Sequence, residues 1–293
     1  MGRYMANRLL TFIPTFFLCS VLTFSIIRLV PGDPVALLAG PFPTPEIRER
    51  IIDELGLNLP IHQQYFKYLV RILSGDFGFS YFTFKPVLSE VLRGLYYTLL
   101  LTVAAIAIAV VFGFVIGIIS ASKFGTLFDN VVRTTTIASV SLPIFWFGFM
   151  IIVVFGLWLK VLPTSGAAVP TSIILPALTL STWPTALISR VLRSSMLEAL
   201  NNDYITMARS TGIPERLVIY KYALKNALIP TVTVIGTEFG SLLCGAVTTE
   251  TVFAWPGIGR LMLEAFFTRD YEIIQGGALI FVILIATLNL ILD

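Results

Sequence analysis

Apolar runs of about membrane-crossing length alternate with polar stretches along this chain. Leu9 to Ile27 carries no charge. Gly94 to Ser122 is also uncharged and holds a second run near Leu95 to Ser120. Thr134 to Leu159, Ile173 to Ser189, Ile229 to Val252 and Ile273 to Leu292 follow, the fourth containing Pro176 and Pro184 and the fifth interrupted by Glu238. A helix needs about 20 mostly apolar residues to cross a bilayer core, so the pattern predicts six spans. Pro143, Pro176 and Pro184 are expected to kink their helices. Gly113 and Gly117, four apart in the second span, would permit close helix packing. The first run follows Arg3 and Arg8, as a signal peptide would. It is too long for a signal core and lacks a small-residue cleavage site, so an uncleaved anchor is expected.

Two long polar segments remain, Arg28 to Arg93 and about Arg190 to Leu228. In the first, "PGDP" (Pro31 to Pro34) reads as a turn. Thr44 is a candidate N-cap before Pro45, with a short helix from Glu46 to Leu55. Ile61 to Leu73 has the pattern of a second amphipathic helix. Tyr65, Phe66, Tyr68, Phe77, Phe79, Tyr81, Phe82 and Phe84 crowd the same region and suit an interfacial belt with a local core.

Composition fits this pattern. Of 293 residues, 56% are hydrophobic and 13% charged, with mean hydropathy +0.88. That charge content is about half the usual share and leaves too little to solvate a soluble domain of this length. The fold class expected is an all-α polytopic membrane protein. A net charge of +3 gives no reason to expect nucleic acid. Cys19 and Cys244 are isolated in apolar runs, and the single histidine, His62, forms no metal-ligand cluster. No P-loop, catalytic triad or paired-carboxylate constellation is present, so any uphill transport must draw energy from a partner or an ion gradient.

Short-loop cations set the orientation. With the N-terminus inside, the inner segments carry Arg3, Arg8, Lys123, Arg133, Arg190, Arg193, Arg209, Arg216, Lys221 and Lys225, and the short outer loops only Lys160, Arg260 and Arg269. The segment around Tyr204 to Leu228 is then cytoplasmic. Tyr204, Met207, Ala208 and Thr211 follow helical spacing, Gly212 ends that helix and Pro214 opens another. Leu217, Tyr220, Leu224 and Leu228 are expected along one face of the second helix, with Lys221 and Lys225 on another. Three uses are open: an interfacial loop holding lipid phosphates, a docking surface for a cytoplasmic protein, or a DNA-binding helix-turn-helix. The bilayer attachment of both ends disfavours the last.

"DYITMARSTG" (Asp203 to Gly212) and "KNALIP" (Lys225 to Pro230) resemble the EAA loop of ABC-importer permeases. The longer separation of Gly212 from Pro230 is similar to that of the dipeptide/oligopeptide/nickel group. Thr206-Met207-Ala208 replaces the literal EAA, and "ARSTG" the more usual "ARAKG". "RLVPGDPV" (Arg28 to Val35), "LGLNLPIHQQY" (Leu55 to Tyr65), "GDFGFS" (Gly75 to Ser80) and "SLPIFWFG" (Ser141 to Gly148) follow the same group in order. So do "ISRVLRSSMLEAL" (Ile188 to Leu200), "ETVFAWPGIGRL" (Glu250 to Leu261) and "RDY" (Arg269 to Tyr271).

The resemblance covers almost the whole chain and points to the first of two paired permeases. It implies a non-catalytic subunit in a bacterial or archaeal inner membrane, its N-terminus cytoplasmic. The expected layout is a tail and first span over 1–30, an extracytoplasmic loop domain over 31–93 and a permease core over 94–293. A cytoplasmic coupling loop of about 194–228 falls between spans four and five. Implied partners are a second permease, one or two P-loop ATPases using ATP and Mg, an extracytoplasmic substrate-binding protein and membrane lipid. This chain would bind no cofactor. Tyr204, Met207, Ala208, Arg209, Ser210, Thr211 and Gly212 are the implied docking residues. Family members continue into a short inner tail, so an end at Asp293 suggests truncation.

Peptides are the expected solute class, with glutathione, nickel chelates or an ion-coupled secondary transporter as alternatives. Polar and small positions would line the path. Glu238, with Thr237, Ser241 and Thr233 a helical turn apart beside it, is the leading candidate. Contact with a cationic solute, a pair with Arg190 and a bond to the second permease are all open for Glu238. Trp255 is expected as an interfacial anchor, with an outer gate as the alternative.

Overall fold

The computed structural model describes residues 13–25, 44–46, 49, 52, 58–80 and 82–292. The Pro31–Pro34 turn, "RLVPGDPV", Arg3, Arg8 and Tyr81 lie outside the described residues, as do parts of the Glu46–Leu55 helix and of "LGLNLPIHQQY". Pro45, Glu46, Glu49 and Ile52 are helical. The labelled helices begin with α1, Ile13–Ser25, α2, Ile61–Leu73, and α3, Val87–Ser122. Then come α4, Leu127–Ser141, and α5, Ile144–Ile151, which continues as a π-helix over Ile152–Trp158. A 3₁₀ turn, Pro170–Ile173, leads into α6, Ile174–Leu200. The short α7, Asp203–Ser210, precedes α8, Glu215–Leu217, and a π-helix, Val218–Ala223. The last helices are α9, Leu224–Gly245, α10, Val247–Val252, α11, Ile258–Thr268, and α12, Tyr271–Leu292. Among the described residues the only β feature is an isolated bridge, Phe79 with Pro86.

Val87–Ser122 and Pro170–Leu200 are each long and apolar enough to cross a membrane; Leu127–Ser139 with Ile144–Trp158 qualifies as a pair bent by 105°. The span expected from Thr134 to Leu159, with its kink at Pro143, is two helices meeting at a sharp bend. The residue before a proline is disfavoured in the helical region, and Leu142 accordingly turns extended at ψ 132° before Pro143. Pro184 and Pro230 lie inside helices, whereas Pro176 sits in the first turn of α6, where a missing N–H breaks no ladder.

The chain forms two compact units. One holds residues 1–94 and 261–291. Here α1 meets α2 through Ser20 and the Tyr65 hydroxyl at 2.7 Å and through Thr23 and the Tyr68 hydroxyl at 3.2 Å. Phe24 lies against both tyrosine rings. Burial pushes the Tyr68 phenol up to about 12. Gln275 donates to the Thr23 carbonyl, and Ser80 to Asp270 at 2.5 Å. Phe66, Phe79, Phe82 and Phe84 stay exposed, as a belt would.

The other unit holds residues 95–260 with 292 and is organised around α6. Leu175, Leu180, Ile188, Leu192 and Met196 of α6 are wholly or almost wholly buried. The most extensive helix contact is that of α9 along α6. Gly113 and Gly117 bring α3 against α6: a Cβ at Gly113 would crowd Ile188, and one at Gly117 would crowd Leu192 and the Ser189 carbonyl. The outward positions Val103, Val111, Phe112 and Val115 of α3 remain exposed, as lipid contact requires.

Candidate functional site

α7 is short, and its two faces differ. Ile205 and Ala208 are buried, while Tyr204, Met207, Arg209, Ser210 and Thr211 are exposed, Met207 at 70%. Ala208 therefore does not share an exposed face with Met207. It packs inward with Ile205 on Ala121, Leu192, Met196 and Ala199 at the ends of α3 and α6. A wholly buried Ile contributes roughly 1.5–3 kcal/mol, so this root holds the segment firmly to α6.

The turn after α7 is a Schellman stop. Gly212 has φ +79°, its N–H donates to Arg209 O at 3.0 Å, and Ile213 N–H reaches Ala208 O at 3.2 Å. A Cβ at Gly212 would meet nothing within 4 Å, so the constraint there is backbone conformation alone. Arg209 closes the turn with two bonds to the Glu215 carboxylate, at 2.7 and 3.1 Å. Those bonds hold the Glu215 carboxyl below the usual carboxylate range and raise Arg209.

The expected face of the next helix needs correction. Leu217 and Tyr220 are exposed, and the buried stripe is Val218, Ala223, Ala227 and Thr231. The first interval is five residues because Val218–Ala223 is a π-turn, wider than the α-helix whose period the pattern assumed.

Beside this root lies an ion cluster that the sequence pattern did not pick out. Arg193 on α6 makes two 2.7 Å bonds to the two oxygens of Asp129 on α4. Ser120 donates to the same carboxylate at 2.5 Å and Gly125 N–H at 3.1 Å. The cluster ties the α3–α4 turn to α6 at Arg193, next to Leu192 of the α7 root. An acid in one short loop and an arginine 64 residues later offer no local signal that they meet.

Along α9, Thr233, Thr237 and Ser241 form an exposed stripe, and Glu238 beside them is 8% exposed. No hydrogen bond or ion pair joins the Glu238 carboxylate to any described residue, so the pairing with Arg190 does not form. The Thr237 and Ser241 hydroxyls donate to Val234 O and Thr237 O. Elsewhere in this unit α3, α4, α5 and α6 border an open cleft of about 360 Å³, lined by Phe112, Thr135, Ser139, Phe147, Thr182 and Thr185 among others. Its hydroxyls also donate to carbonyls of their own helices. Glu238, Thr237 and Ser241 do not line it.

The "ETVFAWPGIGRL" stretch is packed around a buried carboxylate. Glu250 is fully buried; its carboxylate accepts from Thr98 Oγ1 at 2.5 Å, from Arg260 N–H at 3.0 Å and from Gly259 N–H. Thr98 in turn accepts from Ile258 N–H at 2.9 Å. The carboxylate thus caps the first turn of α11, where backbone donors lack helical partners. A Cβ at Gly257 would overlap this carboxylate, and one at Gly259 would come within 3 Å of it and of Val247, which explains both glycines. Trp255 is 3% exposed and donates its indole N–H to Tyr97 O at 3.0 Å. It is a core residue, not the expected interfacial anchor.

Among the described residues no cluster of three or more His, Cys, Asp or Glu could hold a metal ion. Residues 113–293 match the family described as binding-protein-dependent transport system inner membrane component, and residues 1–102 match its N-terminal counterpart. The di/tripeptide transport system permease protein DppB of Pseudomonas aeruginosa is 39% identical over 99% of this chain and 95% of its own length. The glutathione transport system permease protein GsiC of Escherichia coli K12 is 39% identical over 100% and 96%. The dipeptide transport system permease protein DppB of the same strain is 38% identical over 100% and 96%. Among solved structures, the MetNI methionine ABC transporter in an inward-facing form superposes with TM-score 0.59 at 18% identity, covering 70% of this chain and 94% of that one. An amino acid ABC transporter gives 0.55 at 18%, covering 70% and 91%. These two bear on the fold alone.

Proposed function

The chain belongs to the binding-protein-dependent inner membrane components, the permeases of ABC importers, and on that premise we propose that it carries peptides as one of two paired permeases. The solutes for which the relatives are named, di- and tripeptides, dipeptides and glutathione, support the peptide class. In this reading six spans cross the membrane with the N-terminus inside, and residues 31–93 form an outer loop domain. A second permease completes the path, one or two cytoplasmic P-loop ATPases use ATP and Mg, and an outer binding protein delivers the solute. Lipid surrounds the spans. A binding-protein-dependent family displaces the ion-coupled alternative.

The observation that carries the coupling role is the division of α7. Ile205 and Ala208 root it in the core, and Tyr204, Met207, Arg209, Ser210 and Thr211 face outward. A rooted short helix transmits a push as a lever. It shifts the permease equilibrium only if its exposed face makes different contacts in two ATPase states. The Gly212 stop sets the angle of the lever, and the Asp129–Arg193 cluster extends its footing to the α3–α4 turn. Thr237, Glu238 and Ser241 form part of the translocation path.

The test separates face from root. Met207→Glu adds a charge at an exposed position and leaves the core untouched. It is expected to leave membrane insertion and thermal stability unchanged while ATP-driven uptake in proteoliposomes falls by about ten-fold or more, the scale of a residue central to an interface. Unchanged uptake would remove the docking role. Gly212→Val, a β-branched residue forced to positive φ, is expected to uncouple uptake more strongly than Gly212→Asn, which tolerates that conformation.

A further inference from the structure

Between Asn226 and Gly259 the chain has no lysine or arginine. Lys225 lies 13 residues before Glu238, roughly 20 Å along a helix. Glu238 is nine-tenths buried, and no described residue gives its carboxylate a hydrogen bond or an opposite charge. A carboxylate held away from water without a partner is costly and in a span marks a functional site. No described residue supplies its counter-charge.

The neighbouring groups define what that charge should carry. Thr237 and Ser241 are exposed on the adjoining face, and each hydroxyl proton is committed to a backbone carbonyl, Val234 O at 2.9 Å and Thr237 O at 3.1 Å. Each side-chain oxygen therefore offers only lone pairs. Glu238 is one turn from Ser241, a spacing that brings side chains within about 5–6 Å, and Thr237 precedes it on the adjoining face. The patch is a carboxylate flanked by two acceptors, with no donor of its own. A primary ammonium has one positive charge and three N–H donors.

We propose that Thr237, Glu238 and Ser241 form a subsite for the ammonium group at the amino terminus of a peptide in transit. This rests on the peptide-importer reading and on α9 being a span. Glu238 supplies charge and the two hydroxyl oxygens fix orientation. A solute with a free amino group would replace water at the patch without leaving N–H donors unpaired.

The experiment uses the full importer, both permeases with ATPases and binding protein, in proteoliposomes with labelled dialanine as probe. Glu238→Gln keeps size and removes charge. Dialanine uptake is expected to fall about ten- to a hundred-fold, the loss of one hydrogen bond to a charged group. Glu238→Asp should recover part of it. Subunit composition on gel filtration and ATP hydrolysis stimulated by the binding protein should be unchanged. Full uptake by Glu238→Gln would overturn the subsite, because a neutral side chain would then suffice. Loss of the second permease from the Glu238→Gln complex would overturn it too, and would assign the carboxylate to the permease pair. If the wild-type importer takes up no dialanine or other peptide, the peptide reading fails and the subsite with it. Peptide uptake by the wild type with no change in the variant sinks the subsite alone.

Discussion

Glu238 and Glu250 are buried carboxylates twelve residues apart, and their surroundings are opposite. Glu250 is held by Thr98 Oγ1 and by the backbone N–H groups of Gly259 and Arg260, with no room left at Gly257. Glu238 meets no described donor. Asp129 resembles Glu250, with Arg193, Ser120 and Gly125 N–H around it. A carboxylate supplied by its own fold is architecture. One left without donors in an otherwise well-packed helix is available to something that arrives. Burial does not distinguish the two, but the hydrogen-bond inventory does.

The sharpest way to break this comparison is at Asp129. Asp129→Ala leaves the largely buried Arg193 side chain without its partner and should lower stability by about 3–5 kcal/mol, read as a depressed unfolding midpoint of the complex in nanodiscs. A loss below 1 kcal/mol would mean that the cluster is solvated and not structural. Glu250→Ala comes next. It strands the N–H groups of Gly259 and Arg260 and the Thr98 hydroxyl, for an expected loss of about 2–4 kcal/mol. Gly257→Ala should cost a similar amount alone but little in the Glu250→Ala background, because the obstructing carboxylate is then gone. Additive losses would place the strain elsewhere.

Glu238→Gln should behave differently. With no partner to lose and a buried charge removed, its stability should stay within about 1 kcal/mol of wild type or rise. A large loss would show that Glu238 already has a partner in the assembled protein and would place it with Glu250. The smallest effect belongs to Glu215, an exposed carboxylate paired with Arg209. Its folded pKa lies below the ordinary 4.5. Its contribution is therefore present at neutral pH and is lost as pH falls through the folded value. Glu215→Gln should cost at most about 1 kcal/mol at pH 7 and should flatten the acid side of the unfolding profile below pH 4.5.

Much of the backbone course from Asp203 to Leu228 is legible in the sequence. Gly212 followed by Pro214 marks a stop and a restart because both residues restrict the backbone locally. α2 was legible over its full length, Ile61–Leu73, for the same reason. The faces were harder. Met207 and Ala208 are adjacent and share the helical pattern, yet one is exposed and the other buried, since the apolar stripe of α7 is only Ile205 and Ala208. The π-turn at Val218–Ala223 moved the buried stripe off Leu217 and Tyr220, and no local residue announces a π-turn. Glu250 was read as part of a motif and given no role, because its partner Thr98 lies 152 residues away.

By itself the sequence determined that this protein is helical and built for a bilayer, that its apolar runs are punctuated at Pro143 and Gly212, and which family it belongs to. The helical and bilayer readings follow from composition, period and backbone restriction, each a property of neighbouring residues; the family follows from the resemblance of its motifs. Only the tertiary structure decided which charges are satisfied. Asp129 met Arg193, Glu250 met Thr98, Trp255 turned inward onto Tyr97 and Glu238 met no described partner. The physical reason is that pairing in a water-poor interior depends on which distant helices pack together, and spacing along the chain does not carry that information.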